Sequence, residues 1–186
     1  GGLYDNAQIF KGITVLEDDD PKQRGFFSVI APGIDSDGVV SGIRNGLEDE
    51  STRLNLNVLL ILDKQVAGSG RTLLMALPNM TEDVADAILD WLDPDDEQRE
   101  LGAEVDYYSG LTPAYGTKNG PVDTVEELLL VRGVTPQLLF GADSNRNHQL
   151  DQHELLEENS GDAPTDPDSF RGWSSYLTIY SVEWNI

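Results

Sequence analysis

The sequence predicts an α+β protein, a β-rich frame carrying a large helical insertion, and three observations lead there. Stretches rich in β-branched and aromatic residues stand near both ends: residues 26–30 and 39–43 early, 173–184 late. From Leu54 to about Leu139 apolar residues recur instead at helical spacing. The 186 residues are also enough for one sizeable domain or two small ones. The expected division is 1–53 with 168–186 as the β-rich part and 54–167 as the inserted helical domain.

In chain order, the acidic run 17–20 before Pro21 reads as a solvated loop. Residues 26–30, bounded by Gly25 and Pro32, read as a strand. Asp35-Ser36-Asp37-Gly38 is hairpin-turn chemistry, and 39–43 return as a second strand. The helical block contains a faint repeat. Leu77-Pro78-Asn79-Met80-Thr81 and Val131-Arg132-Gly133-Val134-Thr135 each read apolar, any, Gly or Asn, apolar, Thr, and each precedes a helix start. This pattern resembles helix-hairpin-helix units. After the first copy, Val84, Ile88, Trp91 and Leu92 form a core stripe, with Asp83, Asp86 and Asp90 expected on the wet face. Thr124 and Glu127 form a capping box opening 128–130. In the second copy Thr135 and Pro136 are N-cap and first helical residue. The alternating tail 173–184 reads as a long strand that pairs with the early strands.

Charge narrows the function. With 34 acidic and 12 basic residues the formal net charge is −22, which disfavours nucleic acid and anionic membranes, since both require a basic surface. The hairpins are accordingly a packing device; Glu82 and Asp83 stand where a DNA-binding hairpin would carry cations. Surplus carboxylate is relieved by bound cations. There is no cysteine, hence no disulfide, thiolate nucleophile or zinc–sulfur site. No apolar run approaches the ~20 residues that span a bilayer. The opening Gly1-Gly2 lacks signal-like character, as expected of a piece of a longer protein.

The sharpest motif runs from Asp143 to Glu154. Asp143, Asn145, Asn147, Asp151 and Glu154 fall at places 1, 3, 5, 9 and 12 of an EF-hand count, with Gln149 at place 7 offering its backbone carbonyl. Hard oxygen donors in this spacing suit Ca²⁺. Place 6 is His148 where glycine is usual, so weak affinity is expected, on the order of 10⁻⁵ to 10⁻³ M. Residues 153–158 read as its exit helix. A second acidic loop places Asp93, Asp95 and Glu104 at 1, 3 and 12 of the same count, but Gln98 and Glu100 do not fit places 6 and 8. Tyr107, Tyr108 and Tyr115 are read as packing that loop.

Enzymatic readings fare poorly. Both histidines, His148 and His153, lie on the calcium loop, and the clustered carboxylates sit in polar loops rather than in an apolar pocket. A calcium-dependent cell-surface adhesion or docking module is the alternative to a structural assembly protein, although docking modules carry two good copies of such a loop.

Several stretches together resemble the minor pseudopilin K family of the type II (general) secretion pathway. They include Asp90-Trp91-Leu92-Asp93, Gly102-Ala103-Glu104, Val131-Arg132-Gly133 and Leu177-Thr178-Ile179-Tyr180-Ser181. The resemblance covers roughly 47–140 and 172–185. It implies a pilin-like α/β domain with a large inserted helical domain. It also implies an N-terminal transmembrane helix, absent from this sequence, and a place on the periplasmic side of the inner membrane. The implied setting is the pseudopilus tip, beside pseudopilins I and J, without enzymatic activity. It implies Ca²⁺ in the inserted domain, at Asp93, Asp95 and Glu104, whereas the loop 143–154 departs from the family as an added site.

Overall fold

A computed structural model describes residues 2–34, 40–143 and 172–180. Two compact units divide them: 2–34 with 40–49, and 50–143 with 172–180. The architecture is mixed helix and small sheet, as expected of an α+β chain.

The first unit holds α1 (Ala7–Phe10), β1 (Ile13–Leu16), β2 (Gly25–Phe27), β3 (Ala31–Ile34) and β4 (Val40–Arg44). The 26–30 run does not form one strand. Its first half pairs backward with β1, Ile13 opposite Phe27, while the residues after it open β3, which pairs with β4, Ala31 opposite Arg44. The break has a local cause. The Ser28 hydroxyl accepts from the Gly12 amide at 2.9 Å, and the Val29 amide donates to the Phe10 carbonyl at 2.8 Å, so both residues are engaged by the end of α1. The returning strand at Val40–Arg44 agrees with expectation; the turn 35–38 lies outside the described residues. Residues 17–20 are exposed, as a solvated loop should be.

The second unit contains β5 (Leu54–Asn55), α2 (Leu59–Gln65), α3 (Ser69–Leu74), α4 (Glu82–Leu92), α5 (Val105–Ser109), a 3₁₀ helix at Val125–Leu130, α6 (Pro136–Phe140), a 3₁₀ turn at Trp173–Ser175 and β6 (Leu177–Thr178). One apolar cluster serves them all, with Ile88, Leu89 and Trp91 of α4 meeting Leu56, Leu59, Leu74, Tyr108, Leu128, Leu139, Trp173 and Leu177. Glu82 and Asp83 in the first turn of α4 favour its positive end. Asp93 takes an extended conformation (φ −77°, ψ 159°) before Pro94, and the helix stops there.

The sequence repeat is a repeat of backbone. Asn79 and Gly133 both adopt positive φ, 55° and 83°. In both copies the next residue's amide returns to an apolar carbonyl three back, Met80 to Leu77 and Val134 to Val131, each at 3.2 Å. Thr81 and Thr135 then stand as N-caps with nearly equal dihedrals, φ −117°, ψ 156° and φ −116°, ψ 158°. The Thr135 hydroxyl accepts from the Leu138 amide at 3.2 Å, with Pro136 at the first helical position, as the sequence predicts.

Two local expectations fail. The capping box at Thr124 does not form: the Glu127 carboxylate accepts instead from the Asp123 amide at 3.1 Å, the Trp91 indole at 3.3 Å and Lys118. The tail is not one long strand either. Trp173–Ser175 coil into a 3₁₀ turn, because Trp173 is buried with its indole donating to the Pro78 carbonyl at 2.7 Å. Among the described tail residues the strand is Leu177–Thr178, which pairs in parallel with Leu54–Asn55. Among the described residues no helix is long and apolar enough to cross a membrane.

Candidate metal centre

Along α4, Asp86 and Asp90 are four residues apart and share a face. The sequence assigns that face to solvent, and here the structure corrects it. Both aspartates are 0% exposed; of the three expected on the wet face only Asp83 is there. Each has partners. Asp86 accepts from Arg71 Nε at 2.7 Å and from the Leu101 amide at 3.2 Å. Asp90 accepts from Arg99 Nη1 at 2.8 Å, from the Arg99 amide at 3.2–3.3 Å and from the Ala103 amide. The loop from Asp93 to Glu104 is thus folded back over α4 and pinned to two carboxylates. Gly102 is required for this: a Cβ there would stand 1.9 Å from Asp90 Oδ2.

Of the residues expected to bind Ca²⁺ in this loop, Asp93 and Glu104 are buried, 8% and 3% exposed, and Asp95 is exposed. Asp93 Oδ2 takes an ion pair with Arg99 Nη1, while its Oδ1 has no partner. Neither oxygen of Glu104 has a partner. Burial, reinforced by the nearby charges of Asp90, Asp93 and Asp96, pushes the Glu104 carboxyl up to about 7. Burial likewise raises Asp93, against the opposing pull of Arg99, and Asp95 and Asp90 add to the rise. Asp90 is raised too, burial outweighing its hydrogen bonds from Arg99. Burial works against the Arg99 guanidinium, but the carboxylates of Asp90 and Asp93 more than compensate and hold it firmly charged. Asp95 Oδ1 accepts from the Glu97 amide at 3.0 Å in a local turn. The Gln98 side chain, at the place a calcium loop gives to glycine, donates to the Gly102 carbonyl at 2.8 Å and closes the loop.

Among the described residues no three carboxylates or histidines already stand in metal-binding arrangement. The donor chemistry nevertheless fits a hard cation. Of three buried carboxylates, Asp90, Asp93 and Glu104, the first two pair with the partly buried Arg99, and three of the carboxylate oxygens are orphaned. A buried carboxylate without partner is costly. All the free donors are oxygen, which is what Ca²⁺ takes. Asp143 of the other loop is half-buried; Asn145, Asn147, Gln149, Asp151 and Glu154, with the exit helix after them, lie outside the described residues.

Tyr108 and Tyr115 pack against Trp91 of α4, whereas Tyr107 is exposed. Tyr108 is buried edge-on to Trp91, ring centroids 5.2 Å apart, and its hydroxyl accepts from the Arg132 amide at 3.2 Å. The Tyr115 hydroxyl donates to the Leu130 carbonyl at 2.8 Å.

The sequence reading missed Asp90 and Arg99. The available signal was that every residue from Val84 to Leu92 other than the two aspartates is apolar, as in a largely buried helix.

The family model described as type II secretion system (T2SS), protein K, matches residues 52–140, just under half of the chain. Type II secretion system protein K of Aeromonas hydrophila is 46% identical over 56 residues, which are 30% of this chain and 17% of that protein. The chain therefore matches less than a fifth of its curated relative. Among solved structures, a chain of the GspK-GspI-GspJ complex from the enterotoxigenic Escherichia coli type 2 secretion system aligns at 20% identity and a TM-score of 0.28, covering 48% of this chain and 30% of that one.

Proposed function

We propose that this chain, whose residues 52–140 match the family model of type II secretion system protein K, is a member of that family and a non-enzymatic structural component of a secretion pseudopilus, a tip minor pseudopilin whose helical domain is stabilised by Ca²⁺. In this reading 54–167 form an inserted domain, built on two helix-hairpin-helix-like turns, within a pilin-like part made of 1–53 and 168–186. Leu54–Asn55 and Leu177–Thr178 run side by side, so the two ends of the helical unit lie together. The full-length protein is anchored by an N-terminal helix on the periplasmic side of the inner membrane and meets pseudopilins of the I and J types.

The observation that carries the calcium role is the burial of Asp93 and Glu104 with three carboxylate oxygens left without a partner. Asp93 and Glu104 would hold the ion through their unpartnered oxygens, with Asp95 at the rim. The ion supplies charge neutralisation and loop closure, and no reaction is assigned to it. A ligand that binds only the folded state stabilises by about 2.7 kcal/mol at one hundred times its dissociation constant. For a chain of this size that corresponds to a rise in Tm of roughly 5–10 °C. Melting followed by circular dichroism in millimolar Ca²⁺ and in chelator is expected to show this gap, and Asp93→Asn with Glu104→Gln to shrink it. Coincident melts of the unaltered chain in the two buffers would remove calcium from the proposal.

A further inference from the structure

Arg99 stands inside the acidic loop, and two roles are open to a cation there: occupant of the metal position, or support for the groups that hold the metal. The contacts separate them. An arginine substituting for the ion would satisfy Glu104, yet both Glu104 oxygens are without partner while the residue is 3% exposed. The guanidinium lies to one side, on Asp90 Oδ1 at 2.8 Å and on Asp93 Oδ2, with Asp63 Oδ2 4.0 Å from Nη2. Its own amide also donates to Asp90, so that carboxylate and the arginine fix each other. Asp93 is thereby held by one oxygen and presents the other, Oδ1, unpartnered.

We infer that Arg99 is a positioning residue for a divalent cation at Asp93 and Glu104: it orients Asp93 through Oδ2, braced on Asp90, and leaves Asp93 Oδ1 and both Glu104 oxygens to the ion. The inference rests on the calcium reading above. Charge agrees with it. Asp90, Asp93 and Glu104 carry three negative charges when ionised, and Arg99 returns one. The remainder of two matches one divalent ion bound alongside the arginine. Asp86 is outside this count, since Arg71 neutralises it, and so are Asp63, Asp95 and Asp96, which are partly or fully exposed and screened by solvent. Outer partners that orient a ligating carboxylate typically change metal affinity 10–100-fold when removed.

The test measures Ca²⁺ affinity by calorimetry in the chain carrying Asp143→Ala and Glu154→Ala, so that only one loop is counted. Arg99→Gln is expected to weaken binding by about 10–100-fold, and Arg99→Lys, which keeps the charge but loses the fork, to recover part of it. Arg71→Gln removes the neighbouring guanidinium–carboxylate pair on the same helix and is expected to leave affinity within about twofold, although it lowers stability. Should Arg99→Gln fail to fold, Arg99→Lys alone decides: weaker binding supports the role and unchanged binding overturns it. Equal or tighter binding by Arg99→Gln would mean that the arginine competes with the ion, and the positioning role falls while the site stands. Binding that survives Asp93→Asn with Glu104→Gln removes the site itself, and this inference with it.

Discussion

Glu104 carries the clearest titration. Its carboxyl lies at about 7 in the folded chain against an ordinary 4.5, chiefly because burial disfavours its charge. An acid raised in this way binds its proton more tightly when folded. Its stabilising share is therefore complete below about pH 4.5, is lost as pH rises from there to about 7, and changes no further above. The loss amounts to about 3 kcal/mol, and Asp90 and Asp93, also raised, act in the same sense. Urea unfolding in chelator is expected to show a lower midpoint at pH 7.5 than at pH 5, with the difference much reduced in Glu104→Gln. Calcium should invert the dependence, because the ion takes the carboxylate and its affinity rises with pH across that window. A midpoint that climbs with pH in chelator would show that Glu104 is compensated in the folded chain.

The two hairpin turns set the scale of elements. Gly133 sits at φ 83°, and a Cβ there would stand 2.6 Å from Val84 Cγ2, so backbone strain and collision with α4 coincide. Gly133→Ala is expected to destabilise by about 2 kcal/mol or more. Asn79, at the matching place, already tolerates φ 55°, and nothing comparable is expected of Asn79→Gly. Equal midpoints for Gly133→Ala and the unaltered chain would show that the second turn can be rebuilt without its glycine. These turns were legible because their determinants are local: a residue able to take positive φ, an apolar anchor on each side, and a threonine before a helix. The paired burial of Asp86 and Asp90 was not legible. It depends on Arg71, fifteen residues before Asp86, and on Arg99, nine residues after Asp90. No periodicity on α4 announces a salt bridge supplied by another segment. The capping box failed for a related reason, since Glu127 found stronger partners in Trp91 and Lys118 than the local amide.

For the molecule as a whole, a net charge of −22 opposes compaction, and the second unit answers part of it by placing arginines against its buried acids. What they leave uncompensated is the ground on which a cation-dependent domain is proposed. If that domain serves at a pseudopilus tip, the chain should co-elute with pseudopilins of the I and J types in calcium buffer, and less so in chelator. Independent elution from both in either buffer would argue against the tip assembly and leave the calcium site to be judged by its own binding measurements.

The sequence by itself determined the α+β class, the long central helix with its core stripe and the two turn-and-cap signatures. Each rests on residues within one helical turn or one loop of each other, where propensity and spacing act directly. Tertiary structure decided which acids are buried, that Arg99 pins the loop to α4, that the early apolar run leaves its ladder after Phe27, and that among the described tail residues Leu177–Thr178 pair beside Leu54–Asn55. Those outcomes turn on partners distant in the chain, and the free energy of a buried charge or a paired strand is set by what lies against it.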